Sequence, residues 1–302
     1  MTSAAPPVER DLVGYGRHPP DPGWPGGARL ALSFVLNYEE GGENSPLEGD
    51  PMSEAYLHEV VGAPPTVGRR NLNTESMFEF GSRAGFWRVH RIFAKHALPL
   101  TVYAVGQALE RNPEAARAMV DAGWEVASHG WRWIDYGEMP EDEERDHIRR
   151  AIAAIETVCG IRPVGWYTGR VSENTRRLVV EEGGFLYDSD SYADELPYWV
   201  AVFGRQHLVI PYTLDANDFK FLLVNGFVTA DQFYAYLVDT FDRLYEEGGR
   251  MMSVGLHCRI VGRPGRAGSL DRFLRYVRER DGVWVTTRAE IARHWRMRFP
   301  PP

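Results

Sequence analysis

Cysteine is nearly absent: Cys159 and Cys258 are the only two in 302 residues. Two cysteines make no disulfide framework, and neither lies in a CxxC or Cys/His spacing, so reduced thiols are expected and a thiolate zinc site is excluded. No uncharged apolar run approaches the roughly eighteen residues that a membrane span needs. The opening segment lacks the apolar stretch of an export signal, which makes the cytoplasm the expected compartment. An excess of positive charge is missing too. With 34 Lys and Arg against 42 Asp and Glu, the net charge is -8, and neither nucleic acid nor an anionic membrane surface attracts such a chain. P-loop chemistry is also excluded. The run Gly262-Arg263-Pro264-Gly265-Arg266 has no lysine at the required place and reads as a turn before a helix at Leu270.

The composition is that of a folded protein, 44% hydrophobic and 25% charged, with ample apolar surface to bury. Residues 1–28 read as an extended Pro- and Gly-rich arm, since Pro6, Pro7, Pro19, Pro20, Pro22 and Pro25 deny it a helix. From residue 29 to 302 short β-rich runs alternate with helical ones. Strands are expected at Arg29–Leu36, Leu98–Val105, Trp124–Ser128, Pro163–Tyr167, Phe185–Asp188, Leu208–Tyr212, Met251–Leu256 and Val283–Thr286. Helices are expected at Ser82–His96, Pro113–Ala122, Glu141–Val158, Glu173–Glu182, Ala230–Glu246, Leu270–Arg280 and Ala289–Trp295. Such alternation builds parallel βαβ units, and no linker interrupts it, so the fold class is α/β with one domain. The polar stretch 39–73 is too long for an ordinary connection and reads as a functional or disordered loop.

Parallel α/β folds gather their chemistry at the carboxyl ends of the strands, where the βα loops converge. The first expected strand is followed by Asn37, Tyr38, Glu39 and Glu40, and the third by His129, Trp131, Arg132, Trp133, Asp135 and Tyr136. Tyr167 and Arg170 follow the fourth, Asp188 and Asp190 the fifth, and His257, Cys258 and Arg259 the seventh. A lone strand-end histidine is most simply a structural residue. Two of them, His129 and His257, facing one cavity among carboxylates and aromatics, point instead to acid–base catalysis. Glu39 and Glu40 each read either as a general base or as a solvated loop carboxylate. Adjacent strand residues point to opposite faces, and Glu39 shares the side of Asn37, which makes Glu39 the candidate base. Arg170, after the turn-permitting Gly169, either presents a bidentate donor or forms an ion pair with Asp188 or Asp190.

At these residues the chain resembles the polysaccharide-deacetylase-like (NodB-like) superfamily, and within it the metal-independent bacterial allantoinases. The resemblance rests on DLVGYGRHPPDPGWPGGARLALSFVLNYEEGGENS, FEFGSRAGFWR, SHGWRWIDY, GWYTGR, NTRRLVVEEGGFLYDSDSYADELPYW, HLVIPYTLDANDFKF and GLHCRIVGRPGR, which together extend over most of the chain. It implies a distorted, incomplete (β/α) barrel. Metal-dependent members carry an aromatic residue, two Asp and a Gly after the first strand and an HxxxH pair after the third; here the matching positions are Tyr38, Glu39, Glu40 and Gly41, then His129 and Trp133. Indole has no lone pair to give, so no tightly held metal and no other cofactor is expected. The implied substrate is a small cyclic amide, allantoin, opened by water to allantoate in purine (ureide) catabolism, by a homo-oligomer, a tetramer. His129, His257 and Glu39 are the implied catalytic groups, their individual roles left open, with Asn37 and Arg170 holding substrate carbonyls or the ureido group, Trp133 packing on the ring and Tyr167 completing the pocket. Three other readings stay open: a metal-dependent deacetylase of an N-acetylated sugar or polysaccharide, a hydrolase of another cyclic imide or ureide, and a binding protein that lost its activity.

Overall fold

The computed structural model describes residues 10–302; residues 1–9 of the expected arm lie outside the described residues. The strands are β1 (Leu30–Tyr38), β2 (Thr101–Ala104), β3 (Glu125–Ser128), β4 (Gly165–Trp166), β5 (Tyr187–Asp188), β6 (Tyr198–Val202), β7 (Arg205–Val209), β8 (Arg250–His257) and β9 (Val283–Val285). They form one curled sheet in the order β6-β7-β5-β4-β3-β2-β1-β8, with β9 beside the start of β1. Every pairing is parallel except β6 with β7. The helices are α1 (Leu72–Phe80), α2 (Phe86–His96), α3 (Gly106–Arg111), α4 (Pro113–Asp121), α5 (Glu141–Cys159), α6 (Thr175–Glu182), α7 (Ala230–Glu247), α8 (Pro264–Arg278) and α9 (Arg288–Arg298). This is a single α/β domain built as an incomplete barrel. Between β7 and β8 the gap is bridged by the chain after β7, through Asn217 paired to Gly255.

β1 shows why the sheet forms. All nine of its residues are buried, as expected of a central parallel strand covered on both faces, and its apolar run supplies both layers. On one side Phe34 meets Phe93 and Phe273 edge-on, joining α2 and α8 to the sheet. Inside the barrel the polar Ser33 and Ser253 are accepted because the buried Arg288 donates to both, as well as to Ser189 and to the carbonyls of Ile210 and Pro211. Trp24, within the expected arm, is itself a core residue, packed on Trp284 and Trp295 with its indole N–H donated to Arg250 O at 2.9 Å.

Four sequence expectations change. A hairpin strand, β6, stands where no element was expected, and its partner β7 ends at Val209 instead of running on to Tyr212. Phe203 and Gly204, at φ 50° and 70°, make the two-residue turn between them; a short antiparallel hairpin inside a βα series carries no periodicity of its own. The helix expected at Ser82–His96 begins ten residues earlier, at Leu72, and passes through a π-helical turn at Gly81–Gly85. The long loop therefore stops at Asn71, whose side chain caps α1 by accepting from the N–H groups of Asn73 and Thr74. The Gly262–Arg266 run is not a free turn either, for α8 starts at Pro264, where the missing N–H costs nothing.

The π-helical turn brings the α1–α2 junction against the exit of β8. A Cβ on Gly85 would lie 2.0 Å from the Cys258 carbonyl oxygen, and one on Gly262 would lie 2.5 Å from the Gly85 Cα. Both contacts are to backbone, which cannot swing aside. Gly85→Ala is expected to destabilise the protein by at least about 2 kcal/mol, measured as a fall in the denaturant midpoint; an unchanged midpoint would refute this packing.

Candidate active site

One cavity of about 220 Å³ opens at the carboxyl ends of the strands. Its walls include all seven residues singled out in the sequence: Asn37, Glu39, His129, Trp133, Tyr167, Arg170 and His257. Register explains why β1 and β8 meet there, since Asn37 pairs directly with His257. A larger hollow of about 730 Å³ lies beside β8 and α7, lined by Glu195, Asp215 and Lys220 among others. It contains no histidine, so the candidate site is the smaller cavity.

Glu39 is the centre of the site. Its Oε1 lies 3.4 Å from Nε2 of His129 and 3.4 Å from Nε2 of His257, while Oε2 accepts from Arg259 Nη1 at 2.5 Å. Burial alone would raise its pKa, but the guanidinium of Arg259 and the imidazole of His257 outweigh that and hold the carboxyl well below the usual carboxylate range. Glu40 points the other way. It accepts from the backbone N–H groups of Glu39 and Arg259, both at 3.1 Å, and fits against Gly81, where any Cβ would collide with it. Burial pushes its carboxyl up to about 7, with the neighbouring Glu39 adding to the rise against Arg259.

His257 is oriented by Asp218. Its ring Nδ1–H donates to Asp218 Oδ1 at 2.6 Å and its backbone N–H to Oδ2 at 2.8 Å, which leaves Nε2 facing Glu39. Burial disfavours charge on the ring, yet the carboxylates of Glu39 and Asp218 together carry its pKa up to about 9. His129 leaves β3 with its backbone N–H bonded to Ala104 O at 2.8 Å, its Nδ1 buried without a protein partner, and its ring 5.0 Å from that of Tyr167. Tyr167 stacks on Tyr103 at 4.8 Å and shares a 2.8 Å hydrogen bond with Tyr192.

For two residues the structure removes one of the roles left open by the sequence. Both amide protons of Asn37 are already donated, to Tyr212 Oη at 2.9 Å and Leu256 O at 3.0 Å, so only its Oδ1 is left to face a ligand, as an acceptor and not as a donor to carbonyls. Arg170 makes no ion pair with Asp188 or Asp190. Asp188 is taken by Arg176 at 2.8 Å, and Asp190 accepts from the N–H groups of Thr168 and Gly169. Arg170 donates through Nη2 to Trp133 O and to Glu54 Oε2, with its guanidinium 4.4 Å from the Trp133 ring and 5.4 Å from that of Tyr56. Glu54 and Tyr56 belong to the long loop, which is further tied down by Arg132 on Asp50 at 2.8 and 2.6 Å. That loop is ordered and forms one wall.

Sequence reasoning missed Asp218, Tyr56, Tyr192, Tyr212 and the part of Arg259. Arg259 stood in the strand-end list, next to His257. For Asp218 and Tyr212 the one signal was the stretch HLVIPYTLDANDFKF, and for Tyr192 the stretch NTRRLVVEEGGFLYDSDSYADELPYW; Tyr56 sits in the long loop, where spacing says nothing.

A divalent cation, which the wider superfamily implies for this position, does not fit the residues present. Trp133 offers an indole where a second imidazole would stand, Glu40 faces backbone amides, and the Arg259 guanidinium already lies 4.0 Å from Glu40 Oε1. Among the described residues no three His, Cys, Asp or Glu side chains are arranged to hold a metal ion.

Fold and site thus define a class: an incomplete parallel βα barrel with a buried acid–base group at the carboxyl ends of its strands. The polysaccharide deacetylase family profile matches residues 74–184. A Schizosaccharomyces pombe protein named "Putative polysaccharide deacetylase" is 44% identical over 313 residues, 96% of this chain and 98% of that one. The crystal structure of a probable polysaccharide deacetylase from Pseudomonas aeruginosa PAO1 has a TM-score of 0.95 at 56% identity, covering 97% of this chain and 99% of the other. That of the allantoinase PuuE has a TM-score of 0.95 at 55% identity with the same coverage. The chain belongs to the polysaccharide deacetylase family.

The geometry makes His257 testable without any substrate. Its raised pKa means that ring protonation stabilises the fold fully below pH 6.5, and that this contribution is lost as pH rises through about 9. In Asp218→Asn one of the two anions is gone and burial gains weight, so the ring pKa followed by NMR falls by about one unit or more. The stabilisation is then smaller, and its loss above pH 6.5 is complete at a lower pH than in the wild type. An unshifted titration would contradict the assigned Asp218 bond.

Proposed function

We propose that this protein is an allantoinase, which opens the hydantoin ring of allantoin with water to give allantoate. The observation that carries the proposal is the small cavity of about 220 Å³ in which one carboxylate is shared by two imidazoles. A space of that size takes one small ring, whereas a polysaccharide chain needs an open groove. The 55% identity to the allantoinase PuuE over nearly the whole of both chains supports the choice of ring.

The reaction follows from the protonation states. Glu39, held anionic, is a weak base but a good anchor for water beside His129, and His129 takes the proton as the water oxygen attacks the ring carbonyl carbon. Arg170, whose bonds to protein run through Nη2, turns Nη1 to the carbonyl oxygen as negative charge develops there. The carbon–nitrogen bond then breaks, and the departing nitrogen receives the proton of His257, charged at neutral pH and aimed by Asp218. Glu39 Oε1, equidistant from both rings, passes the proton from His129 back to His257 and resets the site. Asn37 Oδ1 accepts from a substrate N–H, and the faces of Trp133 and Tyr167 enclose the ring.

His129→Ala and His257→Ala are each expected to lower kcat for allantoin at least about a hundredfold; near-normal rates in both would dismiss the mechanism. Exhaustive chelation is expected to leave kcat unchanged. A loss of activity restored by a divalent ion would favour the metal-dependent deacetylase reading instead. The proposal includes a cytoplasmic homotetramer without metal or cofactor, acting in purine breakdown, for which the subunit count by light scattering is the first check.

A further inference from the structure

Arg259 and Arg288 are both buried at 1% exposure or less, and they are used in opposite ways. Arg288 sits between serine hydroxyls and backbone carbonyls and donates from Nε, Nη1 and Nη2 alike. Arg259 is just as inaccessible, at 1% exposure, but only its Nη1 is paired, with Glu39; its Nε and Nη2 have no protein acceptor. Its charge is instead held between aromatic faces, with the guanidinium carbon 4.4 Å from the Phe78 ring and 4.8 Å from the Trp133 ring. As a device for stability this is poor, because a desolvated cation that leaves two donors unsatisfied recovers little of what its burial costs.

We propose that Arg259 is a positioning residue of the reaction, a built-in cation that fixes the Glu39 carboxylate with one oxygen turned to both imidazoles. Arg259 does not line the cavity, so it acts through Glu39 and not on the substrate. By anchoring Oε2 it sets the rotation of the carboxylate, and Oε1 comes to lie at the same distance from His129 and His257. Glu40 accepts from the backbone N–H of Arg259, and Gly85 packs against the carbonyl of the same peptide unit, so the backbone that enters Arg259 is fixed. A guanidinium on the chain cannot exchange with solvent, which suits a site whose donor set rejects a divalent ion. The inference rests on the acid–base reading of this cavity and adds the group that orients its carboxylate.

The test compares the wild-type protein with Arg259→Lys and Arg259→Met. On allantoin, Arg259→Met is expected to lose kcat about a hundredfold or more with KM within about threefold, and Arg259→Lys to lie between it and the wild type, about tenfold down. Thermal melts establish that each variant is folded. Crystal structures, which need no substrate, are expected to find Glu39 Oε1 no longer within hydrogen-bonding reach of both rings in the Met variant. A folded Met variant with wild-type kcat, a loss confined to KM, or an unmoved Glu39 would overturn the inference. Should the Met variant not fold, Arg259→Lys decides alone: a folded Lys variant with unchanged kcat overturns it. A wild-type protein inert towards allantoin would instead defeat the functional reading, while the position of Glu39 in the variants still judges this one.

Discussion

A carboxylate buried at 1% exposure and yet ionised is the constraint around which this structure is arranged. Left alone in the barrel, Glu39 would take up a proton, because the interior solvates charge poorly. Arg259 and the protonated His257 prevent this, and Asp218 in turn keeps His257 charged. The site is therefore an alternating chain of charges, Arg259, Glu39, His257 and Asp218, each depending on the next. Removing one member changes the protonation of its neighbours, so the chain behaves as a unit.

The fold serves this chain in specific ways. The register of β1 against β8 sets Asn37 beside His257, and the parallel direction of both strands carries Glu39 and Arg259 to the same end. The π-helical turn before α2 allows backbone to approach backbone at Gly85, which fixes the exit of β8 where His257 and Arg259 sit. The long loop over residues 39–71 walls the cavity with Tyr56 and Leu57 and is anchored by Arg132 and Arg170. What remains at the strand ends is a cavity of about 220 Å³.

The alternation of strands and helices, the strand-end polar residues that meet in the cavity and the choice of Glu39 over Glu40 to face it were legible because each depends on local rules. A strand alternates its side chains, a βα loop delivers its first polar residues to one face, and a proline early in α4 starts a helix. The α1–α2 junction and the β6–β7 hairpin escaped for an equally local reason: glycines in a π turn and a short antiparallel pair have no periodic signature. Arg170 was ambiguous because a guanidinium can pair with any carboxylate within reach, and which one is near depends on where the long loop comes to rest.

The sequence by itself determined the kind of fold and the strand-end polar residues that share one cavity, Glu39, His129 and His257 among them, since these follow from patterns along the chain. Only the tertiary structure decided which groups are charged, that Asn37 has only its Oδ1 left to offer, that Arg259 stands behind the carboxylate, and how large the cavity is. Those properties depend on distances between residues far apart in the chain and on the exclusion of water from between them, and neither quantity is written in the order of the residues.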